Sequence, residues 1–448
     1  MAKAQSKSII QELFIESNDQ KRTVDITTGA ISIDYYEDIF SPTITAKIKV
    51  INTNNSIAPP DREGNSDGAK MSIYNGLPLR GGERVALKIA KNTESNKDLD
   101  FSKRPQDYFY ISSITDVISE SLKESFTLHL VSREALTNET ARVSRKYPTS
   151  STINASVESI LKDVLKTNKI GTIDKTKNKY GFIGNLRKPF TVLVWLASKS
   201  VPETSQGNST AGYVFYQTQD GFQFRSIDGL ISQEPKAEYT FSEALESYDE
   251  NQNQVNNDFK ILNYNTEKNQ NLIEKLRLGT YSSFRMFFNP LTFTFTNDQA
   301  TAFRISEYNG KAKNLGKKNV ELPKVSEGIN SDLGNTPTRI ITQILDLGTM
   351  DPEVSTEENS DPLMYQSQAL TRYNLLLTQS LNMIVPLNTN LKAGDIISCK
   401  FPRISQSDQS EFDSEQSGLY MIKELCHHFD TEASYTSMKL VRDTYGQK

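Results

Sequence analysis

The sequence predicts a β-rich α+β protein of several domains: two similar antiparallel β-barrels with an α/β domain between them, and a helical, irregular insertion. Three observations lead there. First, one pattern occurs near each end: residues 79–90 read LRGGERVALKIA and residues 391–402 read LKAGDIISCKFP. Each copy is followed by a strand-like run, from 108 or from 419, and then by FTLHLVSRE at 126–134 or YTSMKLVRD at 435–443. The spacing between copies drifts only from 312 residues (79 to 391) to 309 (126 to 435), which small loop changes absorb. Second, apolar and polar residues alternate over long stretches, the period of a strand with one buried face. Third, 448 residues exceed one core at about 100–200 residues per domain, and 19 tyrosines with 21 phenylalanines favour strands.

The elements follow in order. Residues 11–16, 30–36 and 43–52 alternate, with Ile44, Ala46, Ile48 and Val50 on one face. Residues 58–70 are rich in Pro, Gly and Asp and read as a loop. Strands at 84–90, 108–117 and 126–131 complete the first barrel, placed at 1–136. An α/β connecting domain covers 137–235. In it Ser150 or Ser151 caps a helix carrying Ile153, Val157, Ile160, Leu161, Val164 and Leu165, which ends near Gly171. A second helix starts at Pro189, the favoured first position, and a hairpin turns about Gln219, Asp220 and Gly221. The second barrel is assigned to 236–300 and 383–448, with strands at 259–264, 271–281 and 291–296. The insertion, 301–382, holds a lysine-rich exposed arm at 307–335 and a helix capped by Asp361 with Pro362 first. One parity mismatch stands out in the repeat. Phe126, Leu128 and Leu130 share a strand face, yet the aligned Tyr435, Ser437 and Lys439 are mostly polar, so the copies are expected to meet different surroundings.

Composition excludes several classes. A formal charge of -4 lacks the basic excess that neutralises phosphates along a bound nucleic acid. Two cysteines, Cys399 and Cys426, make no disulfide framework, and residues 1–8 do not resemble a cleavable signal, so folding in a reducing cytoplasm is expected. The charge-poor run at 373–391 is interrupted by several asparagines and Pro386 and is not a membrane span.

Chemistry is sparse. Histidines stand only at 129, 427 and 428. Cys426 and His428 can share a strand face that His427 cannot join, so a tetrahedral metal site needs two ligands from elsewhere; a strand end is the reading taken. Asp61, Glu63, Asn65 and Asp67 alternate like a calcium loop, but Gly68 is not sixth and the twelfth place is Ser72, not glutamate. No phosphate-binding glycine loop, GxSxG elbow, HExxH or paired-cysteine zinc spacing occurs. No catalytic, cofactor-binding or metal residue is assigned, no cofactor is expected, and the chain is read as not an enzyme.

Several segments in order carry a resemblance: SIDYYEDIFSPTITAKIKVIN at 32–52, KPFTVLVWLASKSVP at 188–202, YVFYQTQDGFQFRSIDGL at 213–230, LNTNLKAGDIISCKFP at 387–402 and SGLYMIKELCHHFDTEASYTSMKLVRD at 417–443. Together they resemble the baseplate hub proteins of contractile-tailed phages of the T-even type, related to the spike base of type VI secretion systems. Each segment is degenerate, and 307–361 matches no part of the family. The resemblance implies two tube-type barrels per subunit and a homotrimer forming a pseudo-sixfold ring. That ring would adapt a hexameric tail tube to a trimeric central spike and enclose a DNA channel. The implied partners are the spike, tail tube, baseplate wedge and tape measure proteins, with transient DNA passage and no membrane insertion. The implied location is the virion tail baseplate, after assembly in the host cytoplasm. Two other readings are a tail-associated cell-wall hydrolase and a glycan- or receptor-binding tail component using Tyr35 and Tyr36 as platforms.

Overall fold

The computed structural model describes residues 3–53, 72–77, 79–120, 123–203, 210–242, 257–268, 271–290, 292–295, 302–323, 333–344, 363–403 and 412–447. The calcium-like run 61–68 and the helix cap at Asp361 and Pro362 lie outside them.

The N-terminal part contains β1 (Ile10–Glu16), β2 (Thr23–Asp25), β3 (Ala30–Asp38), β4 (Thr45–Thr53), a short α1 (Ile73–Gly76), β5 (Arg84–Ile89), β6 (Leu99–Asp100), β7 (Phe109–Glu120) and β8 (Lys123–Ser132). Alternation drives it. Ile44, Ala46, Ile48 and Val50 are all buried, as their period predicts, with Leu128 and Leu130 of β8 in the same core.

The middle part contains α2 (Arg133–Thr140), β9 (Lys146–Tyr147), α3 (Ile153–Ser159), β10 (Ile170–Ile173), β11 (Phe182–Ile183), α4 (Pro189–Lys199), β12 (Tyr213–Thr218), β13 (Gly221–Ser226) and α5 (Ile227–Ile231). Pro189 is the first residue of α4, as expected. The cap of α3 is Thr152, one or two residues beyond the serines expected. One π-helical turn, Ile160–Val164, extends α3. A sheet in the order β10, β13, β12 packs Phe215, Phe222 and Phe224 against Leu161, Leu193 and Leu196.

The remainder contains β14 (Glu238–Phe241), β15 (Lys260–Ile261), β16 (Asn263–Lys268), α6 (Leu272–Arg277), β17 (Ser282–Asn289), β18 (Thr294–Phe295), β19 (Ala302–Arg304), α7 (Ile305–Tyr308), β20 (Arg339–Ile344), α8 (Leu363–Leu376), β21 (Gln379–Pro386), β22 (Ile396–Lys400), β23 (Gly418–Asp430) and β24 (Ser434–Arg442). The strand expected at 271–281 is mostly helix. The Asn271 side chain accepts the Glu274 N–H, which satisfies one free donor of the first turn and favours α6. The lysine-rich segment is anchored in part: Leu315 is fully buried beside Val441, and the backbone of Lys318 pairs with that of Tyr445.

The expected barrels are not present. Among the described residues one 15-stranded sheet runs from β15 to β2 through β14, β22, β23, β3, β4, β8, β7, β5 and β1, with β6, β16, β21 and β24 off that path. Among the described residues no sheet closes into a barrel. The physical reason lies at β23, which pairs β24 on one edge and gives residues 424–430 of the other edge to β3. The two halves are therefore joined through the backbone instead of each closing on itself.

The duplication itself is present in the pairing. In the N-terminal half the neighbours run β3, β4, β8, β7, β5; in the C-terminal half they run β16, β21, β24, β23, β22. All are antiparallel. A register shift falls between Ile111 and Ser113 on β7 and between Ile422 and Glu424 on β23, the same place in the repeat. Each glycine turn repeats as well. Gly82 N–H donates to Ile111 C=O at 2.7 Å and Ile111 N–H to Glu83 C=O at 3.0 Å; Gly394 donates to Ile422 at 2.8 Å and Ile422 to Asp395 at 2.9 Å.

Candidate functional site

Tyr35, Tyr36, Cys426, His427 and His428, all singled out by sequence, meet at the junction between the two repeats. There β3 residues 32–38 lie antiparallel to β23 residues 430–424, with Tyr36 opposite Cys426, Tyr35 opposite His427 and Asp34 opposite His428. Strand alternation sorts them. His427 points into the core and is buried, stacked on Tyr35 with ring centroids 6.1 Å apart. Cys426 and His428 take the other face and both approach Asp34 Oδ1, at 4.0 Å from Sγ and 2.5 Å from Nδ1. Asp430 holds the other ring nitrogen of His428 at 3.3 Å.

These contacts are structural in kind. Burial pushes the Cys426 thiol up to about 12, so little nucleophilic thiolate exists at neutral pH. Desolvation pulls His427 down to about 4, which keeps it neutral, and its Nδ1 lies 3.0 Å from Thr436 Oγ1. The third histidine, His129, is apart from this group on β8, with Nε2 3.0 Å from Thr115 Oγ1. Among the described residues no group of three or more His, Cys, Asp or Glu side chains is arranged to hold a metal ion. Of the two tyrosines considered as platforms, Tyr35 is fully buried, and only Tyr36 is exposed.

The residue that ties the junction together is Glu37, which the sequence reading did not single out. The residue is 2% exposed. It accepts the Tyr35 hydroxyl at 2.7 Å, the Gln219 N–H at 2.7 Å and the Ala393 N–H at 2.9 Å. One side chain thereby holds the first repeat, the tip of the β12–β13 hairpin and the glycine turn of the second repeat. Desolvation raises its pKa to about 7 against the pull of those donors. An ion pair from Lys392 to Asp220 and the bond from Gln219 Nε2 to Thr389 C=O at 3.0 Å close the same contact.

A second buried node fixes the rest of the chain to this frame. Arg372 on α8 is fully buried and pairs with Asp228 at 2.8 Å and Asp443 at 3.0 Å. Its guanidinium also donates to the Lys313 carbonyl. Helices α5 and α8, the residue that follows β24 and the lysine-rich segment thus share one cation, and removing any one partner would leave a buried charge uncompensated.

No protein-family model and no curated protein matches the sequence. Among solved structures, the tail protein from Neisseria meningitidis MC58 superposes over 96% of this chain and 96% of its own, with a TM-score of 0.50 and 9% identity. The 43 kDa tail protein of prophage MuSo2 from Shewanella oneidensis superposes over 97% of this chain and 100% of its own, again with a TM-score of 0.50 and 9% identity. The chain shares its fold with these two tail proteins. At this identity the likeness concerns the course of the chain from end to end, repeats and middle part together. Among the described residues no helix is long and apolar enough to cross a membrane.

Proposed function

We propose that this chain is a structural hub of a contractile tail baseplate and carries out no chemistry of its own. In this reading three copies form a pseudo-sixfold ring that joins a hexameric tail tube to a trimeric central spike and surrounds a channel for DNA. The observation that carries it is the repeat: the same five strands, in the same order, with the same bulge and glycine turn, occur twice in one chain. Two such units per chain supply six similar faces from three chains, which matches a sixfold partner on one side and a threefold partner on the other. An active site gives no reason for that duplication.

The tail-protein fold supports the same role, and so does the rigid junction. The bonds of Glu37 and the continuous β3–β23 ladder fix the angle between the two units, as a ring requires. The formal charge of -4 suits a channel that lets phosphates pass without holding them. Spike, tube, wedge and tape measure proteins are the partners this role implies. Multi-angle light scattering of the purified full chain tests it: a mass three times the 50.5 kDa of one chain is expected, and a monomer at all concentrations contradicts it.

A further inference from the structure

Charge is unevenly placed along the chain. Residues 141–200 hold 12 lysines and arginines against three acidic residues, a charge of +9 within a chain of net -4. The three acids are themselves paired inside the unit: Glu158 with Lys162, Asp163 with Arg145 and Asp174 with Arg225. They offset none of the other cations. From 175 to 183 the backbone is extended and alternates, with Thr176 and Tyr180 buried and Lys175, Lys177, Lys179 and Ile183 exposed, so those four side chains stand on one face. Lys146 lies opposite Ile183 in the β9–β11 ladder, and Arg187 opposite Val143, which adds two cations beside the run.

The turn that ends this run carries a second observation. Asn185 and Leu186 both take left-handed backbone, φ +49° and +55°, which suits asparagine and strains leucine. The turn is fixed by Leu186 N–H to Val143 C=O and Arg187 N–H to Gly184 C=O, both at 3.0 Å. Yet Leu186 is 65% exposed, and Ile183 three residues before it is 48% exposed. Packing within the chain therefore does not offset the strain, and a strained residue held in solvent points to a contact made elsewhere.

We infer that this face binds an extended acidic segment of another protein, whose carboxylates meet the run of Lys175 and Lys177 and whose apolar end covers Ile183 and Leu186. The inference goes beyond the hub reading and stands if that reading fails. Outward side chains of an extended segment recur about every 7 Å, the spacing of the lysines themselves. An apolar contact beside a charged one is the anatomy of a protein interface. Nucleic acid fits less well, because Tyr147 and Tyr180 are buried with Phe182 and Trp195 packed on them, so no ring is offered as a stacking platform. A lipid surface also fits less well: it is fluid and accepts an apolar side chain in any direction, so a backbone strained to fix one leucine gains nothing there.

Fluorescence anisotropy with the full-length chain and two labelled peptides tests this surface. One peptide is LSESESESL, with leucine at both ends so that either direction serves; the other is SSESESESS. The leucine peptide is expected to bind about tenfold more tightly than the serine peptide. Lys175→Glu/Lys177→Glu is expected to weaken both by about tenfold. Leu186→Asn is expected to abolish the preference for the leucine peptide while the unfolding midpoint holds or rises, because asparagine tolerates the left-handed turn; a leucine with only a structural role would give a lower midpoint. Equal binding of the two peptides, or binding that the variants leave unchanged, overturns the inference. Tighter binding of oligothymidine, or of vesicles of phosphatidylcholine and phosphatidylglycerol, also overturns it and assigns the face to nucleic acid or lipid. A lower mass of the Lys175→Glu/Lys177→Glu variant in light scattering overturns it in favour of a second copy of this chain.

Discussion

At the scale of single residues, Glu37 carries the most consequence. A carboxyl buried among backbone N–H groups is held in place by hydrogen bonds and opposed by desolvation, and desolvation wins, placing its pKa at about 7. Between pH 4.5 and about 7 the folded protein keeps a proton that the unfolded chain has released. This contribution to stability is complete below pH 4.5 and is lost as pH rises through 7. Urea unfolding of the wild type and Glu37→Gln across pH 5–8 checks this. The wild type is expected to lose stability relative to the variant as pH rises, by about 1.4 kcal/mol for each unit of displaced pKa; a gap independent of pH contradicts it. His427 works in the opposite sense, since its pKa is depressed to about 4 and its contribution is lost as pH falls from 6.5 through 4. Only the variant comparison separates the two. Neither residue's role was legible from sequence: His427 was noticed for its neighbours, and Glu37 read as one acid among many, because its three donors come from parts of the chain up to 356 residues away.

At the scale of elements, the glycine turns show what the sequence revealed and where it slipped. The match of LRGGE with LKAGD is real in three dimensions: the Arg80 N–H bonds the Glu83 carboxylate at 2.8 Å, as the Lys392 N–H bonds that of Asp395 at 3.0 Å. Gly82 and Gly394 both sit at positive φ, +92° and +90°, where a side chain is strained by roughly 1–3 kcal/mol. Their surroundings differ. A Cβ at 394 would collide with the Tyr216 hydroxyl, whereas one at 82 meets only the Asn18 side chain at 3.2 Å. Gly394→Ala is therefore expected to lower the unfolding midpoint more than Gly82→Ala, and equal losses would contradict a junction built on the second turn.

The parity mismatch between Phe126 and Tyr435 was an alignment error of one residue. By their ladders Leu128 matches Met438 and Leu130 matches Leu440, all buried, and Ser132 is the extra residue that hid the correspondence. A slip of one reverses every side chain in a strand, so two inward faces looked like one inward and one outward. The helix at Pro189 and the hairpin at Gly221 were legible because their signals are local. The helix α6 was not, since its cap at Asn271 lies in a stretch whose apolar residues also suit a strand.

At the scale of the whole molecule, the sequence led to two closed barrels, and the structure has one open sheet uniting both repeats. Pairing of β3 with β23 joins residues about 390 positions apart, and no local pattern announces a ladder of that range. What survives is the duplication, and with it the argument for a ring. The most direct test of the account is electron microscopy of the purified chain. Class averages with threefold symmetry and six similar lobes around a central opening are predicted; isolated single chains, or assemblies without a threefold axis, would contradict it.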